Sequence, residues 1–171
     1  MSTTSVREAL EKTSRAIAER PEAAYSKSVP ATARVLAGLR CEVTGPNRET
    51  VHTDMPPTMG GIASAPAPGW LFRAAVASCT ATTIAMRAAR LGINLTTLEV
   101  TAESFSDNRG ILGLDDNVSA GLSELTVRVK IGARDVPADG LRELAEWGDI
   151  HSPVACTARN SSSYSLEVDV V

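Results

Sequence analysis

Apolar positions return at helical spacing at the start of the chain, where Val6, Leu10 and Ile17 fall on one side of a predicted helix from Val6 to Arg20. Ser5 and Glu8 fit a capping box at its start, and Pro21 ends it. The stretch to about Pro30 reads as a connection. From Ala33 to Thr44 the period changes to two. Val35, Ala37, Leu39, Cys41 and Val43 fall on one face and Arg34, Leu36, Gly38, Arg40 and Glu42 on the other, so one strand is expected. Gly45, Pro46 and Asn47 form a turn, and Thr50 to Asp54 is the returning strand. Pro56, Pro57, Gly60, Gly61, Pro66, Pro68 and Gly69 then impose a loop.

Trp70 to Leu91 is the clearest element. It is rich in Ala, holds neither Gly nor Pro, and stops at Gly92, with Arg87 and Arg90 near its C-terminal end. Its length corresponds to a rod of about 33 Å, and its small side chains let other elements approach closely, as a central helix requires. A strand from Thr97 to Phe105 and a Gly/Asp-rich loop from Asp107 to about Gly121 follow. Glu124 to Ile131 alternates again. Asp135 to Trp147 reads as a helix, and Ser152-Pro153 opens a short one reaching about Arg159. Tyr164 to Val170 alternates as a closing strand. The order of elements predicts an α+β fold.

Composition narrows the function classes. The 171 residues suit one domain preceded by a helical appendage, with residues 1–29 as N-terminal helix and connection and 30–171 as the main domain. Aromatic residues are only 4%, so base-stacking platforms are short of material. The net charge of -3, without a Lys/Arg cluster, argues against a nucleic-acid partner. The uncharged apolar run from Ala74 to Met86 is too short to span a bilayer, so no membrane partner is expected. Cys41, Cys79 and Cys156 are scattered without a CxxC pair, a pattern suited to a reducing cytoplasm. His52 and His151 are isolated, and no metal or cofactor motif is present.

Chemistry therefore rests on thiols. Cys79 lies about ten residues into the long helix, beyond reach of its N-terminal dipole, so any activation must come from a cation on another element. Phe72, Ala75, Val76, Thr82, Thr83 and Met86 share its side of the helix. Cys156 falls early in the short helix, where unpaired backbone donors favour a thiolate. Cys41 alternates with core positions. On composition and spacing alone packing is the favoured reading of all three thiols, and of Cys41 by a wide margin.

The run Met59-Gly60-Gly61 through Pro66-Ala67-Pro68-Gly69-Trp70-Leu71-Phe72-Arg73 to Ser78-Cys79, with Ala88 to Ile93 beyond it and His151-Ser152-Pro153-Val154 later, resembles the OsmC/Ohr family. The resemblance covers roughly residues 30 to 171. It implies antiparallel sheets packed around a cysteine-bearing central helix in an intertwined homodimer, with active sites at the subunit interface. It also implies thiol-dependent reduction of organic hydroperoxides without a cofactor, with a dithiol as reductant. By motif position Cys79 matches the peroxide-reacting cysteine, and Arg40 matches the arginine that favours its thiolate. Where the family places a glutamate before the cysteine helix, this chain has Gly69 and Trp70; where it places the second cysteine, this chain has Ser152. Cys156, one turn further on, is the candidate replacement. Two alternatives remain: a binding module holding an apolar ligand near Trp70, Phe72 and Met86, and acyl or thioester chemistry at Cys79.

Overall fold

The computed structural model describes residues 3–160 and 162–171. Helix α1 covers Thr3–Glu19 and buries no residue fully. It starts two residues before Ser5, which corrects the expected capping box: Ser5 lies inside the first turn.

The expected strand from Ala33 to Thr44 is instead a hairpin of β1 (Thr32–Ala37) and β2 (Arg40–Thr44), reversed at Gly38 with φ +57°. Val35 pairs with Cys41 and Ala33 with Val43, so these odd positions share a face on the two strands, and the register shifts only beside the turn, where Ala37 pairs with Arg40. The sequence alternation therefore runs on across a chain that turns back, and only Gly38 marks the turn. Strand β3 (Thr50–Thr53) pairs antiparallel with β2, completing the order β1-β2-β3.

After a 3-10 turn at Pro57–Met59, α2 runs from Pro68 to Leu91. Proline suits its first position, because that N–H has no helical partner. Gly92, at φ +73°, ends it in the left-handed conformation that glycine adopts at least cost. Strands β4 (Leu95–Phe105) and β5 (Ser123–Ala133) pair in a second sheet, with the short α3 (Asn108–Ile111) between them. Helix α4 (Ala138–Ile150) leads to α5 (Pro153–Arg159), which Ser152 caps by accepting from the Ala155 N–H at 3.4 Å. The expected strand from Tyr164 to Val170 does not form. The segment has a strand's alternation, but a strand needs a neighbour to bond, and no described strand pairs with it; Tyr164, Leu166, Val168 and Val170 are exposed.

The chain divides into two compact units. One comprises Met1–Arg7, Val76–Thr101 and Val127–Val171. Its core is Ile84, Ala88 and Leu144, packed against Leu95, Leu98, Val100, Val129 and Ile131 of the two-stranded sheet. The other comprises Glu8–Ala75 and Ala102–Thr126. Thr53 and Asp54 are its only buried positions among the described residues, and the neighbouring Val35 and Leu36 of β1 are both exposed.

Candidate active site

Cys79 sits halfway along α2 and is half-buried. On one side of it Val76, Thr80 and Thr83 are buried; on the other Phe72, Ala75, Thr82 and Met86 are exposed. The sulfur therefore lies on the margin between core and open surface, where a thiol is both held and reachable. The Thr83 hydroxyl donates to the Cys79 carbonyl at 2.9 Å. The Thr80 hydroxyl is fully buried without a partner, a group that ordinarily costs about 1–3 kcal/mol to leave unbonded.

Cys156 is exposed in the first turn of α5, its N–H donating to the Ser152 carbonyl at 2.8 Å. The Asn160 side-chain amide donates to the Cys156 carbonyl at 2.9 Å and approaches its Sγ at 3.5 Å. Cys41 is half-buried on β2, its Sγ 4.0 Å from the Leu39 carbonyl. Cys79 and Cys156 belong to the first compact unit, Arg40 and Cys41 to the second. The Arg40 side chain is exposed and makes no ion pair among the described residues. Nothing acidic lies in the first turn of α2, as Gly69 and Trp70 imply.

Three features escape the sequence reading. His151 is not isolated: its ring stacks on Trp147 with centroids 3.9 Å apart, and the Arg87 guanidinium lies 4.6 Å from the Trp147 centroid. The i,i+4 spacing of Trp147 and His151 across the end of α4 was the available signal. His52 is not isolated either, standing 3.5 Å from Glu42 across β2 and β3. The third is Asp54, which is 2% exposed. Its carboxylate accepts from the backbone N–H groups of Met55, Ile62 and Ser64 at 2.8, 3.3 and 2.9 Å, and from the Ser64 hydroxyl at 2.9 Å.

Donation from the Ser64 backbone, above all, holds the Asp54 carboxyl below its usual range, against the opposing effect of burial. Arg109 does the same for the exposed Asp107, whose pKa falls to about 2. Both carboxylates are bonded better folded than unfolded, so their contribution to stability is complete above the ordinary carboxylate range, near pH 4. It is lost as pH falls through the lowered values. Acid titration of stability should therefore show a loss below about pH 4 that is shallower in Asp54→Asn. An unchanged slope in the variant would contradict the role of Asp54.

A mixed α+β chain with a half-buried thiol midway along its longest helix is the class that fold and site define. The model of the OsmC-like protein family matches residues 61–167, and the chain belongs to that family. Among solved structures it is similar to an OsmC-like protein from Mycoplasma pneumoniae, at 14% identity and a TM-score of 0.68 over 80% of this chain and 91% of that one. It is also similar to the organic hydroperoxide resistance protein OsmC from Legionella pneumophila, at 18% identity and a TM-score of 0.57 over 78% and 92%. The organic hydroperoxide resistance protein OhrB of Bacillus subtilis matches at 18% identity and a TM-score of 0.52 over 79% and 93%. Likeness at such identity establishes the fold. No curated protein matches the sequence.

Proposed function

We propose that the protein is a thiol-dependent reductant of organic hydroperoxides, with Cys79 as nucleophile and Cys156 as the second thiol. The observation that carries this reading is Cys79 itself, half-buried at the motif position of a family whose similar structures include organic hydroperoxide resistance proteins. The Cys79 thiolate attacks the terminal oxygen of the hydroperoxide. The O–O bond breaks, the alcohol leaves with a proton, and Cys79 becomes a sulfenic acid. The Cys156 thiol then displaces water from that sulfenic acid to form a disulfide, which an external dithiol reduces.

Two contacts support the pairing. Gly148 packs against Ile84 of α2 and Trp147 against Arg87, which sends the chain beyond α4 toward the Cys79 end of α2. Ser152 and Ala155 are buried, so α5 begins inside the unit that holds Cys79. Arg40 supplies the cation in this reading. No metal or cofactor takes part, and three free thiols suit the cytoplasm.

The working form is a homodimer. The unit containing β1–β3 buries almost nothing of its own, and apolar residues stay exposed on α2, on β1 and along the C-terminal segment. Light scattering at micromolar concentration is expected to give twice the chain mass; a stable folded monomer would contradict it. The enzyme reading is tested with Cys156→Ser. The variant should form no disulfide and stop without turnover, one equivalent of hydroperoxide taking Cys79 to the sulfenic acid and a second over-oxidising it to sulfinic acid. Turnover equal to wild type would show Cys156 to be idle. The second reading, a binding module for an apolar ligand, is favoured by the exposed Trp70, Phe72 and Met86 and by the lack of an acidic residue in the first turn of α2. It predicts hydroperoxide binding without consumption.

A further inference from the structure

The loop between β3 and α2 has no buried apolar residue of its own. It is held by one carboxylate. Asp54 gathers the backbone of Met55, Ile62 and Ser64 and the Ser64 hydroxyl, while its own N–H donates to the Pro66 carbonyl at 3.2 Å. Met55 closes the same circle, its carbonyl accepting from the Ala63 N–H at 3.0 Å. The circle is tight. A Cβ at Gly61 would stand 1.9 Å from the Met55 carbonyl oxygen and 2.8 Å from the Asp54 carboxylate. Ala63 is held at φ +54°, where a side chain costs about 1–2 kcal/mol. A loop with this strain and no core beneath it depends on the bonds that close it.

Its far end is the entry to α2. Pro66, tied to Asp54, is followed by Ala67, whose carbonyl accepts from Trp70 at 2.9 Å and Leu71 at 3.3 Å. Ala67 has no side-chain oxygen to cap the helix, so the start of α2 is set by the closed loop and by Pro68. Cys79 rides on the same helix, three turns further on.

We propose that Asp54 is a positioning residue for the chemistry of Cys79, fixing through the closed loop the point and angle at which α2 begins. The inference rests on the hydroperoxide reading of Cys79. Hydroperoxide cleavage needs sulfur, both oxygens and the group that neutralises the departing alkoxide in one geometry, and a displacement of about 1 Å can cost about a hundredfold. Alkylation by iodoacetamide attacks through the same thiolate but expels iodide and needs no such neutralisation, so with both rates expressed per thiolate from their pH profiles it reports whether the sulfur is reachable.

The test compares full-length wild type with Asp54→Asn, which keeps the shape but turns an amide NH2 toward backbone donors. Second-order rates at Cys79 are measured with cumene hydroperoxide and with iodoacetamide, alongside hydrogen exchange at Ile62 and Ser64. In the variant, exchange at both amides should quicken by about tenfold or more. The hydroperoxide rate should fall by at least about tenfold, and the iodoacetamide rate should stay within about twofold of wild type. A hydroperoxide rate unchanged while the loop amides exchange freely would overturn the inference. So would equal changes in both rates, the mark of a merely structural effect. If Asp54→Asn does not fold, Ser64→Ala removes one of the four carboxylate bonds, and the same split between reagents is expected at about threefold. A wild-type protein inert to hydroperoxide would overturn the functional reading and the inference together, whereas an active wild type with an equally active variant overturns the inference alone.

Discussion

Cys79→Ser is expected to lower hydroperoxide consumption on the order of a thousandfold or more, to the background of the reductant alone. A serine hydroxyl is not ionised near neutral pH and lacks the polarisable sulfur that attacks an O–O bond. The replacement is close to isosteric, and it leaves the Thr83 hydroxyl bonded to the carbonyl of residue 79 and the buried Val76 and Thr80 in place. The melting temperature should therefore stay within a few degrees, so that lost chemistry is separated from lost fold. Consumption of cumene hydroperoxide with a dithiol as reductant measures the effect. Activity within tenfold of wild type would move the nucleophile elsewhere.

The largest expected loss of stability comes from Gly148→Ala. Helix α4 crosses α2 so closely that a Cβ at Gly148 would stand 2.3 Å from Ile84 Cγ1 and 2.9 Å from its backbone N and Cα. The Ile84 backbone lies inside a continuous helix and cannot give way, so the two helices must separate and open the core of Ile84, Ala88 and Leu144. Overpacking of this kind costs about 3 kcal/mol, or about 6–12 °C in melting temperature for a chain of this size. Gly140→Ala in the same helix is the control. Its Cβ would meet Val136 at 3.4 Å and Pro137 at 3.8 Å, ordinary contacts, and alanine should gain up to about 1 kcal/mol of helix propensity. Thermal melting of the two variants should give opposite signs. Equal losses would mean that the crossing at Gly148 is looser than its geometry requires.

How far such features were legible in the sequence varies with how local their causes are. Helix α2 was legible because an Ala-rich run without Gly or Pro, stopped by Gly92, carries its own instructions. The β1–β2 hairpin was not, because Ala33, Val35, Cys41 and Val43 share a face across the turn and alternation alone cannot report a reversal. The closing strand was misread for a related reason: alternation describes one chain's two faces, while a strand also needs an edge to bond. In the candidate site, Cys79 was singled out through its motif, and the structure adds its half-burial midway along α2. Asp54 passed unnoticed, because a carboxylate at a strand end is commonplace until the loop beyond it is seen to fold back. Gly60-Gly61 and three prolines within a dozen residues were the signal that such a loop needs a fastener. The stack of Arg87, Trp147 and His151 depends on α4 crossing α2, which no local pattern contains.

The proposed chemistry turns on what one equivalent of hydroperoxide does to the native thiols. The decisive measurement is the intact mass of wild-type protein after that addition, followed by peptide mapping without reduction. The account predicts the loss of two hydrogen atoms, a single Cys79–Cys156 peptide pair with Cys41 still free, and return to the starting mass on addition of a dithiol. An unchanged mass, with all three thiols free and the hydroperoxide unconsumed, would contradict it.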